Sequence, residues 1–185
     1  MIVLVCILVP CIGFVILGGF MWNFGQKTIM PMVSCAIGFE FVREGIQDYA
    51  KEHDGKLPNA KTWQDDVRPY YKERLGKNSG DFGPFEPMSP EGAWGCKVDE
   101  KQFTGMAFNS ELSEKKLADI QDKETTMLIF EIEKAMSNAN EPFKKRPQST
   151  SPKMMGEHRG WIAMPIEGEM DGMDVNTRGK RIKID

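Results

Sequence analysis

Residues 33–53 read VSCAIGFEFVREGIQDYAKEH, and this stretch decides the fold. Apolar side chains recur there every three or four residues, with charged and amide side chains between them: Cys35, Phe39, Val42, Ile46 and Tyr49. Because that spacing matches the turn of an α-helix, it predicts one amphipathic helix with a single apolar stripe. The stripe must be covered, so the rest of the chain has to supply a packing layer.

An uncharged segment precedes this helix. Residues 1–26 read MIVLVCILVPCIGFVILGGFMWNFGQ and contain no Asp, Glu, Lys or Arg. An apolar run of about 20 residues, at about 1.5 Å rise per residue, crosses a hydrocarbon core about 30 Å thick. We therefore predict a transmembrane helix at residues 1–26 that leads almost directly into the amphipathic one. A cleaved secretory signal is the alternative, but the run lacks a basic n-region and a small-x-small exit.

Composition favours one extramembrane domain without catalytic chemistry. The chain has 185 residues and a net charge of -3, which predicts neither a nucleic-acid groove nor an acidic tail. It contains no Gly-x-Ser-x-Gly, Walker or dinucleotide motif, and its two histidines, His53 and His158, have no cysteine at zinc-site spacing. We predict a non-enzymatic protein with no nucleic-acid partner.

A second, shorter helix is expected after the first. Gly55 is suited to end the amphipathic helix, and Thr62 is a reasonable N-cap with Asp65 three residues on. Gly76 is the predicted end of this second helix. Residues 76–95 are rich in Gly and Pro and are predicted to form a long loop.

Residues 103–185 are predicted to be mainly β structure. The best strand pattern is TTMLIFEI at 125–132, a β-branched and apolar run. The polar residues 138–160, with three prolines, are predicted to form a loop. Further strands are predicted at 103–108, 161–166, 173–175 and 180–184.

The four cysteines fall into two pairs by position. Cys6 and Cys11 lie in the predicted span, where apolar packing explains them. Cys35 and Cys96 belong to the extramembrane part, and outside the cytoplasm a disulfide between them is one interpretation. Two free buried thiols are the other.

Small and helix-breaking residues interrupt the predicted span. Such residues let two helices approach closely within a bilayer, which favours a helical partner in the membrane. The candidates for this packing are Pro10, Gly13, Gly18 and Gly19.

A series of short motifs runs in a fixed order through residues 34–184. The first are SC at 34–35, Tyr49 and HDGKLP at 53–58. Together they resemble the pattern SC…NLKQ…Y…DNDGRLP of bacterial pseudopilin-like proteins.

The later motifs continue that series. W…PY at 63–70 resembles W…L.PY, GC at 95–96 lies where F.CP is usual, and FN at 108–109 resembles YAMN. TMLIFE at 126–131 resembles TVLLFE, and His158 with the later Asp-Gly resembles the terminal RH.GG…DGH. By this order of motifs the chain resembles type IV pilin-like and type II secretion pseudopilin-like proteins, many of which have uncharacterised C-terminal domains.

The resemblance implies an α+β fold in which one long N-terminal helix packs on a small antiparallel sheet. Residues 1–26 would be its transmembrane half, and residues 27–185 a pilin-like extracytoplasmic domain that includes the amphipathic half at 33–53. The chain would be a single-pass protein of the bacterial inner membrane with its C-terminal domain in the periplasm. Its partners would be lipid and other membrane or pilin-like subunits.

An acidic cluster near the end of the chain is a candidate metal site. Closely spaced carboxylates can hold Ca²⁺, and some major pseudopilins bind Ca²⁺ in a C-terminal loop. The candidate ligands are Glu167, Glu169, Asp171 and Asp174. The alternative is a solvated hairpin that faces nearby basic residues, and our expectation is no cofactor.

The chain departs from the family at three positions. Pilins keep a Glu at the fifth mature position, which helps subunits assemble, but Val5 stands there if Met1 is the mature start. Lys97 and Met173 replace the usual Pro and His. Two functions therefore stay open: a pilin-like or pseudopilin-like structural subunit that assembles through its N-terminal helix, and an accessory subunit that caps the external face of another membrane complex.

Overall fold

The computed structural model describes residues 30–82, 94–98, 103–154 and 157–172. Helix α1 spans Met30–Glu52 and helix α2 spans Trp63–Phe82. The strands are β1 Gly105–Asn109, β2 Met127–Ile132, β3 Asn140–Glu141, β4 Lys153–Met154, β5 Glu157–His158 and β6 Ala163–Pro165. The fold is thus α+β, as predicted. The predicted span at 1–26 and the predicted strands at 173–175 and 180–184 lie outside the described residues.

Helix α1 forms where the amphipathic pattern predicts it. Its stripe residues Cys35, Phe39, Val42 and Ile46 are buried, while the charged residues between them are not. Gly55, at φ +78°, donates its N–H to the Ala50 carbonyl at 2.8 Å. This closes the C-terminus of the helix in the left-handed conformation that glycine adopts at little cost.

Helix α2 is longer than its sequence suggests. It starts after Thr62, whose carbonyl accepts from the Asp66 N–H at 2.9 Å, and it runs through Pro69 and Gly76 to Phe82. The predicted end at Gly76 is therefore wrong, and so is the predicted loop over residues 76–82. An interior proline removes one helical hydrogen bond, crowds the carbonyl four residues before it and costs about 3 kcal/mol, and a glycine costs about 1 kcal/mol relative to alanine, so the helix forms despite both residues. Residues 83–93 of that predicted loop lie outside the described residues.

The main sheet is mixed, with strand order β3-β1-β2-β6. The β1–β2 and β2–β6 pairs are antiparallel, but β3 runs parallel to β1. The prediction of a purely antiparallel sheet is therefore wrong at this edge. Strand β2 ends at Ile132, opposite Gly105 at the start of β1, so the chain crosses at that end and continues in the direction of β1. A Cβ on Gly105 would lie 2.2 Å from the Lys134 carbonyl oxygen, so the crossing passes directly over this glycine.

Regular structure also replaces part of the loop predicted at 138–160. That segment contains β3, a 3₁₀ turn at Gln148–Thr150 and the antiparallel β4–β5 hairpin. Strands of two residues leave too little alternation to be read from the sequence.

Two hydrophobic clusters cover the two faces of the sheet. The larger cluster joins the α1 stripe, α2 and one face of β1 and β2, with the Trp63 ring 5.3 Å from the Trp94 ring and 5.8 Å from the Phe108 ring. The smaller cluster lies on the opposite face: Ala107, Phe130, Ile132, Ala139 and Ala163, with Met127 and Phe143 packed against it.

Candidate functional site

The junction between α1 and the sheet is a covalent one. Cys35 and Cys96 form a disulfide with their Cα atoms 5.2 Å apart, and both residues are buried. Of the two interpretations left open by the sequence, the structure contains the bonded one. Cys35 lies in the second described turn of α1. The bond is therefore near the N-terminal end of this helix, the end closer in sequence to the uncharged residues 1–26.

The segment that carries Cys96 is fixed along β1. The Cys96 N–H and carbonyl pair with the Thr104 carbonyl and N–H at 3.2 and 3.0 Å, and the Met106 N–H donates to the Trp94 carbonyl at 2.9 Å. A Cβ on Gly95 would lie 1.9 Å from the Thr104 carbonyl oxygen, so only glycine fits there. The disulfide therefore ties α1 to the start of β1.

A buried ion pair lies beside this junction. Glu131 on β2 accepts bonds from Arg159, from Thr104 Oγ1 and, at 3.2 Å, from the Ile162 N–H. The Arg159 Nη1 atom lies 2.9 Å from Glu131 Oε2 and also donates to the Gly160 carbonyl at 3.1 Å. Both charged side chains are almost wholly buried. Pairing of both carboxylate oxygens offsets the cost of removing the charges from water.

The backbone beside Arg159 packs too closely for side chains. Gly160 and Gly172 have φ values of +90° and +97°, and a Cβ on Gly160 would lie 2.2 Å from the Gly172 carbonyl oxygen. A Cβ on Gly172 would lie 1.7 Å from the Trp161 carbonyl oxygen. The Asp171-Gly172 part of the motif therefore packs the end of the described chain against β6, whereas His158 contacts the Ser151 carbonyl oxygen.

In the sequence, Glu131 belongs to one of the short motifs, but no pattern predicted its ion pair with Arg159. One signal was available, because Glu131 is a lone charge within the apolar strand TTMLIFEI. A charge at a position with buried neighbours requires a partner. The partner lies 28 residues further along the chain, so nothing local to the strand could identify it.

An open groove of about 530 Å³ lies at the other end of α1, between α1 and α2. Its acidic lining is largely engaged: Tyr70 donates to Glu52 at 2.7 Å, Asn138 to Asp65 at 2.7 Å, and Thr62 to Asp66 at 2.7 Å. These carboxylates hold the two helices and the turn at Asn138 together, so we assign them to the fold.

Two tyrosines that line this groove have raised pKa values. The hydrogen bond to Glu52 is the main cause that raises the pKa of Tyr70 to about 12, with smaller contributions from burial and neighbouring charge. Burial, followed by the charges of Asp66 and Glu114, raises the pKa of Tyr49. The His53 ring stacks on Tyr49 with centroids 3.8 Å apart, and its Nδ1 lies 2.7 Å from the Tyr49 carbonyl oxygen.

Two of the candidate calcium ligands lie beside lysine side chains in the structure. Glu167 pairs with Lys123 at 3.3 Å, and Asp171 lies 4.0 Å from Lys145 while its backbone pairs with Ala163. Within the described ranges, no group of three or more His, Cys, Asp or Glu side chains is arranged to hold a metal ion. Glu169 is exposed, and Asp174 lies outside those ranges.

The predicted membrane contacts lie outside the described residues, since Pro10, Gly13, Gly18 and Gly19 all precede Met30. Among the residues that the structure describes, neither α1 nor α2 has both the length and the hydropathy to cross a bilayer. Comparisons with protein-family models, with characterised proteins and with solved structures find no match for this chain.

Proposed function

We propose that the chain is a non-enzymatic, membrane-anchored structural subunit of the pilin or pseudopilin kind, which assembles through its N-terminal helix. One observation carries the proposal. Helix α1, described from Met30 onward, follows the uncharged segment 1–26 in the chain and buries its apolar stripe on the domain. The helix next in sequence to the apolar segment is thus also the helix that organises the fold.

The disulfide supports the periplasmic location in this proposal. Disulfides persist in oxidising compartments such as the bacterial periplasm and are rare in the cytosol. The Cys35–Cys96 bond therefore agrees with a domain that lies outside the inner membrane. Residues 1–26 would anchor it as a single-pass protein, with lipid and neighbouring helices as partners.

A second candidate function has its own observation. Residues 1–26 contain no carboxylate, whereas pilins use a Glu in this region to assemble. In this candidate the span docks laterally on other membrane subunits, and the α+β domain caps their external face.

A pull-down in mild detergent separates the two candidates. A tagged full-length chain is purified with its neighbours, and mass spectrometry identifies both the partners and the intact N-terminus. The first function predicts that untagged copies of the chain and other pilin-like proteins are recovered. A fixed set of unrelated membrane proteins supports the second.

A span variant provides the matched control. Gly18→Leu with Gly19→Leu keeps the segment apolar but prevents close helix contact. Either function predicts that this variant stays in the membrane and loses its partners. A partner set that is unchanged in the variant would contradict assembly through the N-terminal helix.

A further inference from the structure

The disulfide lies at the point where a pull on the N-terminus would enter the domain. Cys35 is the sixth of the 23 residues of α1, and the rest of the buried stripe follows it: Phe39, Val42 and Ile46. If only packing held α1, tension from its N-terminal end would peel this stripe from the sheet one turn at a time. Because Cys35 comes before these three residues, the disulfide would carry the tension before it reaches them.

From Cys96 the connection continues into the centre of the sheet. The two Cys96–Thr104 backbone bonds join the segment 94–98 to the residue before β1, and Thr104 Oγ1 donates to Glu131 on β2. Strands β1 and β2 are in turn paired from Gly105 to Phe108. A route of one covalent bond and several hydrogen bonds thus leads from Cys35 to the two central strands.

We propose that the Cys35–Cys96 disulfide and its pairing with Thr104 form a tension junction, which passes a pull on the N-terminal segment directly to β1 and β2. Residues 36–95, which include most of α1 and all of α2, lie outside this path. The inference rests on the proposed function, because an anchored subunit in an assembly is one that is pulled at this end. It adds a mechanical role to a bond that otherwise only stabilises the fold.

Single-molecule pulling of the full-length chain in detergent tests the junction. Bio-orthogonal handles are placed at Thr28, which precedes the described residues, and at Thr125, an exposed residue just before β2, so that the pull loads opposite ends of the β1–β2 pair. The native protein should resist until the β1–β2 pairing ruptures, with no earlier step. In Cys35→Ala with Cys96→Ala, α1 should detach first and at lower force. Its 23 residues lengthen from about 35 Å as a helix to about 80 Å when extended, which is a step of about 45 Å.

Reduction on the same molecule covers the case in which the alanine variant does not fold. After a first unfolding exposes the disulfide, a phosphine reductant opens it and the chain is allowed to refold. The next pull should show the early step. An early step of equal force in the oxidised native protein, or none after the bond is removed, would overturn the inference.

Val67→Ala is the control for general destabilisation. Val67 is fully buried between α1 and α2, outside the proposed path. The substitution should lower the force of the early step in the cysteine-free chain and leave the native protein without an early step. If the junction fails this test while the chain still recovers its partners in the detergent pull-down, the proposed function stands without the mechanical role.

Discussion

At the residue scale, the Glu131–Arg159 pair is a buried interaction that holds the C-terminal part of the described chain to the sheet. It joins β2 to the segment that leads into β6, in a place with almost no access to water. Removal of one charge there leaves the other buried without a partner, and this costs more than the intact pair contributes.

Glu131→Gln should therefore lower the free energy of unfolding by about 3 kcal/mol. Glu133→Gln, two residues further at an exposed position, should change it by less than about 0.5 kcal/mol. Denaturant titration of both full-length variants measures the difference through the transition midpoint at constant slope. Equal midpoints for the two variants would contradict a structural role for the pair.

The glycines of the terminal motif allow a second test. Gly160 and Gly168 have similar φ values, +90° and +94°, so alanine is strained at both positions. At Gly160 the added Cβ also clashes with backbone, 2.2 Å from the Gly172 carbonyl oxygen, whereas at Gly168 its nearest neighbours lie at the ordinary contact distance of 3.8 Å. Gly168→Ala should cost about 1 kcal/mol and Gly160→Ala about 3 kcal/mol or more, measured as above. A smaller cost at Gly160 than at Gly168 would show that these two segments do not pack as described.

Tyr70 reports on the groove between the helices. Its hydrogen bond to Glu52 raises its pKa from 10.0 to about 12, so the protonated form is favoured in the folded state. The stabilisation is complete below about pH 10 and is lost as the pH rises toward 12. Ultraviolet titration of tyrosinate in the native protein and in Tyr70→Phe identifies the step that belongs to Tyr70, and Glu52→Gln should shift this step back toward 10. An unchanged titration curve in Glu52→Gln would mean that the bond is absent in solution.

At the element scale, the sequence was most informative where the periodic pattern is long. The 3.6-residue spacing predicted a helix at 33–53, where α1 spans Met30–Glu52, and the β-branched and apolar run predicted a strand at 125–132, where β2 spans Met127–Ile132. The two-residue β3 could not be predicted, because it depends on contacts distant in sequence, and the Pro-rich and Gly-rich composition after Gly76 concealed the end of α2. Strand β3 exists because the Phe108 N–H donates to the Ala139 carbonyl at 3.0 Å, across 31 residues.

The residues of the candidate site also divide into those that the sequence could predict and those that it could not. The cysteine pair could be proposed from position alone, whereas the Glu131–Arg159 pair required knowledge of which strands are neighbours. The parallel edge of the sheet was missed for the same physical reason.

The crossing of α1 and α2 is close because of one glycine. A Cβ on Gly45 would lie 3.2 Å from Val67 Cγ1 and 3.3 Å from the backbone nitrogen of Tyr71. Gly45→Leu should force the helices apart and cost about 2 kcal/mol. Gly76→Leu, where an added Cβ meets none of the described residues within 4 Å, should instead stabilise α2 by about 0.5 kcal/mol through helix propensity. The same sign for both substitutions, in thermal or denaturant unfolding, would contradict this crossing.

At the scale of the whole molecule, the chain combines an uncharged N-terminal segment with a domain organised around the helix that follows it. The buried stripe of α1, the disulfide and the Glu131–Arg159 pair together join this helix to the sheet and to the end of the described chain. The proposed structural subunit would require such an arrangement, because its anchored end would have to be joined firmly to the rest of the domain.

The most direct test of the central claim is the behaviour of the full-length chain in bacterial membranes. We predict that it stays in the membrane fraction after alkaline extraction, and that protease added to the periplasmic side digests the domain. A variant with Leu8→Arg and Ile16→Arg should be released by the same extraction, because charges at the centre of a span oppose insertion. Release of the unaltered chain into the soluble fraction, or protection of its domain from periplasmic protease, would contradict membrane anchoring through residues 1–26.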